Sequence, residues 1–362
     1  MHGILKAALA RFDEILSALE FDEKLQSLTE TRESARNSEW RRLVYSGSII
    51  NLYGCLEQFV DDIIARYASL CATFFPEYTD LPENIQKAHD SQARQLLTRD
   101  SGGRLDRNDI DEMLRSLASC LDGAEDYTLS GIALSFHDRN LKGDMLSDLL
   151  RRVNVNFSDS IGKIDIKTLQ DGLLSGLYKD VESILADLVS RRNEIAHGDY
   201  VDLASSDILT AICEVLKKLV TAIFDEIRKA TFLHLSPALV GYVKQYYAKP
   251  KAHIIALEAT EISVGDTVFG IEKGSSRLRA ARIHTLKDED IQAHCLAKDA
   301  LQAEDGCIGM TLTPDVIFVG KVSSLSTEIS ALLADAEFLD SLAGETSDEH
   351  DSGRPQETAN TT

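Results

Sequence analysis

Arg191-Arg192-Asn193-Glu194-Ile195-Ala196-His197-Gly198 ends an aliphatic run whose spacing is helical. Leu177, Val181, Ile184, Leu185, Leu188 and Val189 precede it at three- and four-residue steps, which predicts an amphipathic helix over 174–197. Gly198 suits the left-handed residue that closes such a helix. Asn193 and His197 stand four apart and share a face. Arg192 lies about 100° round from Asn193, within reach of the same patch through its long side chain. A guanidinium stays charged, and an imidazole titrates near neutrality. Each residue also has a plain structural reading. His197 could cap the helix on a carbonyl, and Arg192 could pair with Asp187 or Glu194.

Outward from this stretch the first ~250 residues read as helical. Ile4, Leu5, Leu9, Phe12, Ile15, Leu16 and Leu19 make one apolar face near the start. A longer helix is predicted from about Glu39 to Phe75, too rich in apolar residues for a one-faced surface helix and therefore central. Further helices are expected from Pro82 to about Leu97, over 108–121 and 143–152, and over 203–232, with a short one after Ser236-Pro237. After Lys249-Pro250-Lys251 the period becomes strand-like. His253–Leu257, Thr267–Ile271, Leu278–Ile283, Ile291–Ala297, Cys307–Leu312 and Val316–Val322 are short β-prone runs separated by turn residues. The expected architecture is mainly α: a helical domain over 1–248, then a small antiparallel β-barrel or sandwich over 249–325. A helix over 326–343 and a disordered acidic tail over 344–362 are expected to follow.

The stretch 191–198 resembles the motif of the HEPN superfamily, whose ribonucleases carry an arginine followed four to six residues later by histidine. Arg192-Asn193 matches the polar residue that often follows that arginine. Ile50-Asn51-Leu52-Tyr53-Gly54-Cys55-Leu56-Glu57-Gln58-Phe59-Val60 is similar to the long early helix of stand-alone bacterial members, with an aromatic residue and a glutamate a few positions on. The resemblance covers roughly residues 35–235. Arg228…His234, Arg277…His284 and Arg279…His284 satisfy the bare spacing too, but without the asparagine, the closing glycine or the preceding helix. The resemblance implies an HEPN-type bundle and a metal-independent endoribonuclease, in which the RNA 2′-hydroxyl attacks phosphorus and leaves a 2′,3′-cyclic phosphate. Arg192 is then the phosphate clamp and His197 the general acid, its place at a helix C-terminus favouring the protonated form. Asn193 would orient the histidine or a phosphate oxygen. Glu57 is either partnered by an arginine or part of the site, and Tyr200 either leans over the site or packs in the core. The resemblance further implies a homodimer with a composite site, no cofactor and a defence or toxin role. The rival reading keeps the fold but makes it a non-catalytic scaffold that binds a nucleotide or a partner protein, and a regulatory protein is a further candidate partner.

Composition narrows the setting. The chain has 362 residues and a formal net charge of −21, which argues against broad, sequence-independent nucleic-acid binding. From Thr327 onward nine acidic residues face a single basic one, Arg354, so a locally basic cleft elsewhere stays open, fed by Arg41-Arg42, Arg151-Arg152 and Arg191-Arg192. Cys55, Cys71, Cys120, Cys213, Cys295 and Cys307 are scattered with no zinc-like spacing, which predicts buried thiols in a reducing compartment. Met1 to Leu19 lacks a signal-peptide layout, and no apolar run is long enough to cross a bilayer, so the expected location is the cytoplasm, with no membrane partner. Gly270–Ser276 lacks the ending of a phosphate loop, and Asp288-Glu289-Asp290 reads as a solvated turn rather than a cation site.

Overall fold

A computed structural model describes residues 1–29, 34–98, 105–123, 126–157, 164–166, 169–198 and 203–235 of the helical part. Beyond them it describes 238–247, 252–257, 262–272, 278–283, 285–288, 291–293, 295–296, 307–311, 316–321 and Leu333. The chain divides into two compact units, Met1–Ala230 and a second from Thr231 onward.

The helices are α1 (His2–Thr29), α2 (Ser34–Phe74), α3 (Glu83–Thr98), α4 (Arg107–Leu121), α5 (Gly131–Ser135), α6 (Gly143–Arg152), α7 (Val181–His197) and α8 (Ser206–His234), the last running from the first unit past Ala230. Helix α2 is the axis. Ile49, Leu52, Leu56, Phe59, Val60, Ile63, Ile64 and Tyr67 are buried at positions too many for one face, because α1, α5, α6 and α7 all pack on it. Each such side chain contributes about 1.5–3 kcal/mol by leaving water. Helix α8 lies along α1, with Cys213 Sγ donating to the Phe12 carbonyl at 3.5 Å and Lys217 meeting Asp13 at 2.8 Å. The short α5 crosses α2 so closely that a Cβ on Gly131 would stand 2.7 Å from Cβ of Ala65, which only glycine permits. Cys55, Cys71, Cys120 and Cys213 are free, buried thiols, as their scatter predicts. No described helix is long and apolar enough to cross a membrane.

Two expectations need correction. The helix carrying the motif begins at Val181 and not at 174: a 3₁₀ segment, Leu169–Gly176, comes first, and Leu177 is 56% exposed. Asp180 sets the start, its carboxylate accepting from Ser183 N at 2.8 Å while Ser183 Oγ accepts from Asp180 N at 3.1 Å. Such a reciprocal cap outweighs an aliphatic residue one turn upstream. The second correction is the stretch after Pro237. It forms strand β1 (Ala238–Tyr247), not a helix. Val240, Tyr242, Val243, Tyr246 and Tyr247 favour a pleated sheet, and β1 gains two antiparallel partners.

The remaining strands of the second unit are β2 (Ala252–Leu257), β3 (Ile262–Ser263), β4 (Thr267–Glu272), β5 (Leu278–Arg282), β6 (Thr285–Asp288), β7 (Ile291–Ala293), β8 (Cys295–Leu296), β9 (Cys307–Thr311) and β10 (Val316–Lys321). They form a small antiparallel sheet in the order β5-β4-β10-β1-β2-β9-β6-β7, with β3 and β8 as a separate pair. The helix expected over 326–343, apart from Leu333, and the acidic tail lie outside the described residues.

Candidate functional site

Helix α7 buries Val181, Ile184, Leu185, Leu188 and Val189, which anchors its first three turns and leaves the last ones to present side chains outward. Gly198, at φ +78°, closes it with its N–H on the Ile195 carbonyl at 3.1 Å. His197 is exposed in that last turn, and Asn193 is half-buried one turn before it. Neither carboxylate offered as a surface partner for Arg192 takes it. Asp187 holds Arg191 at 2.6 Å, and Glu194 accepts from Ser190 at 3.2 Å. Arg192 instead lies with its guanidinium 5.3 Å from the centre of the Tyr53 ring and donates to Asn193 Oδ1 at 3.3 Å. Among the described residues no carboxylate neutralises it. A cation over an aromatic face is steadied while its outer N–H groups stay available.

Tyr53 carries the site into α2. Its hydroxyl donates to Glu57 Oε1 at 3.1 Å and accepts from Leu141 N–H at 2.9 Å. Burial pushes this phenol up to about 12; the Glu57 carboxylate adds to the shift, while the Leu141 N–H and Arg192 oppose it. Tyr53 is thus a neutral bridge. Beyond Glu57 stands His137, whose Nε2 is 3.8 Å from Glu57 Oε1 and 3.8 Å from Asp61 Oδ1. Its Nδ1 is 2.7 Å from the Arg139 carbonyl, which only accepts, so Nδ1 carries a proton and Nε2 faces the two carboxylates. Asp61 is pushed up to about 6, chiefly by burial; His137 opposes the shift, and Glu57 and Asp62 add to it. Arg152 fixes the backbone ahead of His137, donating to the Phe136 carbonyl at 2.7 Å and pairing with Asp148 at 3.1 Å.

The structure therefore joins Arg192, Asn193 and Glu57 through Tyr53, with His197 on the exposed face that Asn193 shares. Of the two readings of Glu57, the direct arginine partner is not observed: Arg192 reaches it through the phenol. Tyr200 lies outside the described residues. His137 and Asp61 are additions that sequence reasoning missed. The available signal was Glu57 and Asp61 four apart in an otherwise apolar helix, but nothing in the order of residues links them to position 137. The competing spacing Arg228…His234 is not an equivalent, because Arg228 is 1% exposed and paired with Asp225 at 3.2 Å inside the core. A 520 Å³ cleft along α6, lined by Asn84, Arg139, Arg151 and Asn154 among others, includes none of Arg192, His197 or Glu57. Arg139 and Arg151 there are partly spent on Asp144 and Asp148. Among the described residues no group of histidine, cysteine and carboxylate side chains has metal-holding geometry.

No curated protein and no solved structure matches the chain. The family model RiboL-PSP-HEPN matches residues 10–229, a span that contains α2, α7 and every residue of the site just described. That span exceeds half of the chain and carries both the resemblance at Tyr53–Glu57 and the one at Arg192–His197, so the chain belongs to the RiboL-PSP-HEPN family, within the HEPN superfamily.

Proposed function

We propose that the chain is an endoribonuclease that cleaves RNA without a metal ion, using the RNA 2′-hydroxyl as nucleophile. The observation that carries this reading is Arg192, a cation with no described carboxylate partner, steadied over Tyr53 five residues before an exposed histidine. Transesterification needs a cation for the charge growing on phosphorus, a base for the 2′ proton and an acid for the departing 5′-oxygen. Arg192 fits the first role, binding two phosphate oxygens at once. His197 fits the acid, with Asn193 placed to orient either the imidazole or a phosphate oxygen. The products are a 2′,3′-cyclic phosphate and a 5′-hydroxyl. A homodimer fits the same reading, supported by apolar side chains that α2 leaves exposed, Leu43 at 65% and Ile50 at 51%.

The test is cleavage of single-stranded RNA by purified protein in the presence of a chelator, with the ends identified chemically. His197→Ala is expected to lower the rate at least 100-fold with unchanged circular dichroism, in line with the usual share of proton transfer in the barrier. Cleavage that persists unaltered in that variant would mark a contaminant, leaving the family fold as a non-catalytic scaffold.

A further inference from the structure

A single chain holds more proton-transfer groups than the Arg192–His197 motif. Tyr53, Glu57 and Asp61 stand at four-residue steps on one stripe of α2. His137 reaches that stripe from the segment after α5 and lies 3.8 Å from both carboxylates. Only 7% of the His137 side chain is exposed, whereas Glu57 and Asp61 keep 36% and 39% of theirs. The imidazole is thus behind, the carboxylates in front. Oδ1 of Asp61 is itself buried and lacks a hydrogen bond, and it faces His137 Nε2. His137 thus stands within ion-pair range of both carboxylates at once.

We propose that Glu57 is the general base of the reaction, supplied by the same chain as Arg192 and His197, with His137 and Asp61 as positioning residues that hold a charge of each sign beside it. The inference rests on the ribonuclease reading and deepens it by naming the second proton-transfer group. Glu57 is the carboxylate nearest the clamp along the chain of contacts: guanidinium over phenol at 5.3 Å, then phenol to Oε1 at 3.1 Å. The Tyr53 hydroxyl holds Oε1, leaving the exposed remainder of the carboxylate for the substrate. In the step itself the O2′–H bond breaks and its proton passes to the Glu57 carboxylate. The O2′–P bond forms, the P–O5′ bond breaks, and O5′ takes a proton from the His197 imidazolium. Among the described residues, the charged groups facing Glu57 and Asp61 are His137 from the segment after α5, Asp62 from α2 and, through Tyr53, Arg192 from α7. Asp61 is a like charge beside the base when ionised, while a protonated His137 is an opposite one. The two should therefore move the base's working range in opposite directions.

The experiment is the pH–rate profile of kcat/KM on one RNA oligonucleotide for the wild-type chain, Glu57→Gln, Asp61→Asn and His137→Gln. Glu57→Gln keeps the oxygen that Tyr53 donates to, and it is expected to lose at least 100-fold in kcat with KM nearly unchanged. In Asp61→Asn the acidic limb of the profile is expected to move to lower pH, and in His137→Gln to higher pH. Wild-type chain without cleavage overturns the nuclease reading and this inference with it. Cleavage within threefold of wild type in Glu57→Gln overturns this inference alone and leaves the base to a second copy's imidazole. An impaired Glu57→Gln with unmoved limbs in the other two variants overturns the roles given to His137 and Asp61.

Discussion

Two adjacent arginines have opposite fates, and the difference comes from one helical step. Arg191 points into α7's packed side, where Asp187 holds it at 2.6 Å and it donates to the Tyr45 hydroxyl at 2.8 Å. Asp187 also accepts from Tyr178 at 2.6 Å. Burial works against the charge of Arg191, but its hydrogen bonds to Asp187 and Tyr45 outweigh burial and hold it more firmly protonated. Arg192, 100° further round in the usual helical count, meets an aromatic face instead. Arg191→Ala should therefore cost about 2 kcal/mol, because it leaves a half-buried carboxylate without its cation. That corresponds to a drop of roughly 4–8 °C in Tm for a unit of this size. Arg192→Ala gives up about 0.5–1 kcal/mol of cation–π attraction and should leave Tm within about 4 °C, while abolishing RNA cleavage. Thermal melts and cleavage assays on the two variants side by side check this. Equal destabilisation by both would mean that Arg192 is a second structural arginine. The motif pair was legible in the sequence because it is local. Which neighbour Arg192 faces was not, since Tyr53 lies far away in sequence on another helix.

Helices α3 and α4 and the segment leading into α5 are joined by one buried imidazole. His89 Nε2 accepts from Ser130 N–H at 3.1 Å and lies 3.0 Å from Ser116 Oγ, inside a cluster that includes Ala93, Met113 and Ala133. A backbone N–H can only donate, so Nε2 is unprotonated and the ring is neutral, with its hydrogen on Nδ1. Burial pushes His89 down to about 4 from its ordinary 6.5, against a small opposing pull from Asp90. The unfolded chain takes up this proton as pH falls through 6.5, and the folded chain does not until near 4, so the stability lost accumulates between those values. At about 1.4 kcal/mol per pH unit, cooling of stability from pH 7 to 4.5 through this one group amounts to about 3 kcal/mol. His89→Gln keeps an acceptor for Ser130 and removes the proton site. Urea midpoints measured at pH 7 and pH 4.5 should lie closer together in the variant by about that free energy. Equal spacing in both proteins would show that His89 titrates normally. This junction was illegible beforehand because α5 is only a few residues long, below any useful periodicity, whereas α4 and α6 were readable within a residue or so at their ends. Strands β2, β4, β5, β9 and β10 were likewise visible as β-branched runs between turn residues. The start of α7 and the nature of β1 were not, since the first depends on a polar cap and the second on partners distant in sequence.

At the scale of the whole molecule, the question is how a chain with a net charge of −21 could meet a second copy, because like net charge resists association. Contact would have to be local and apolar. Helix α2 has such a line: Leu43, Gly47, Ile50 and Gly54 follow one another at steps of four, three and four, the spacing that keeps side chains along one helical edge. Leu43 and Ile50 are 65% and 51% exposed, and a Cβ added at Gly47 or Gly54 would meet nothing within 4 Å. Two copies of α2 crossing there could approach closely at the glycines and bury the aliphatic pair. An antiparallel crossing centred on this line would also bring exposed Arg41 and Arg42 of one copy towards the Glu57–Asp61 end of the other, which places opposite charges together and a second cation near each site. The homodimer proposed above is therefore expected to form through this edge. Ile50→Arg should convert it to a monomer in light scattering across 50 to 500 mM salt (about a 10-fold span chosen to vary screening), with circular dichroism unchanged because the position is exposed. A wild-type chain that is monomeric at every salt concentration, or an Ile50→Arg chain that still dimerises, would remove α2 as the contact.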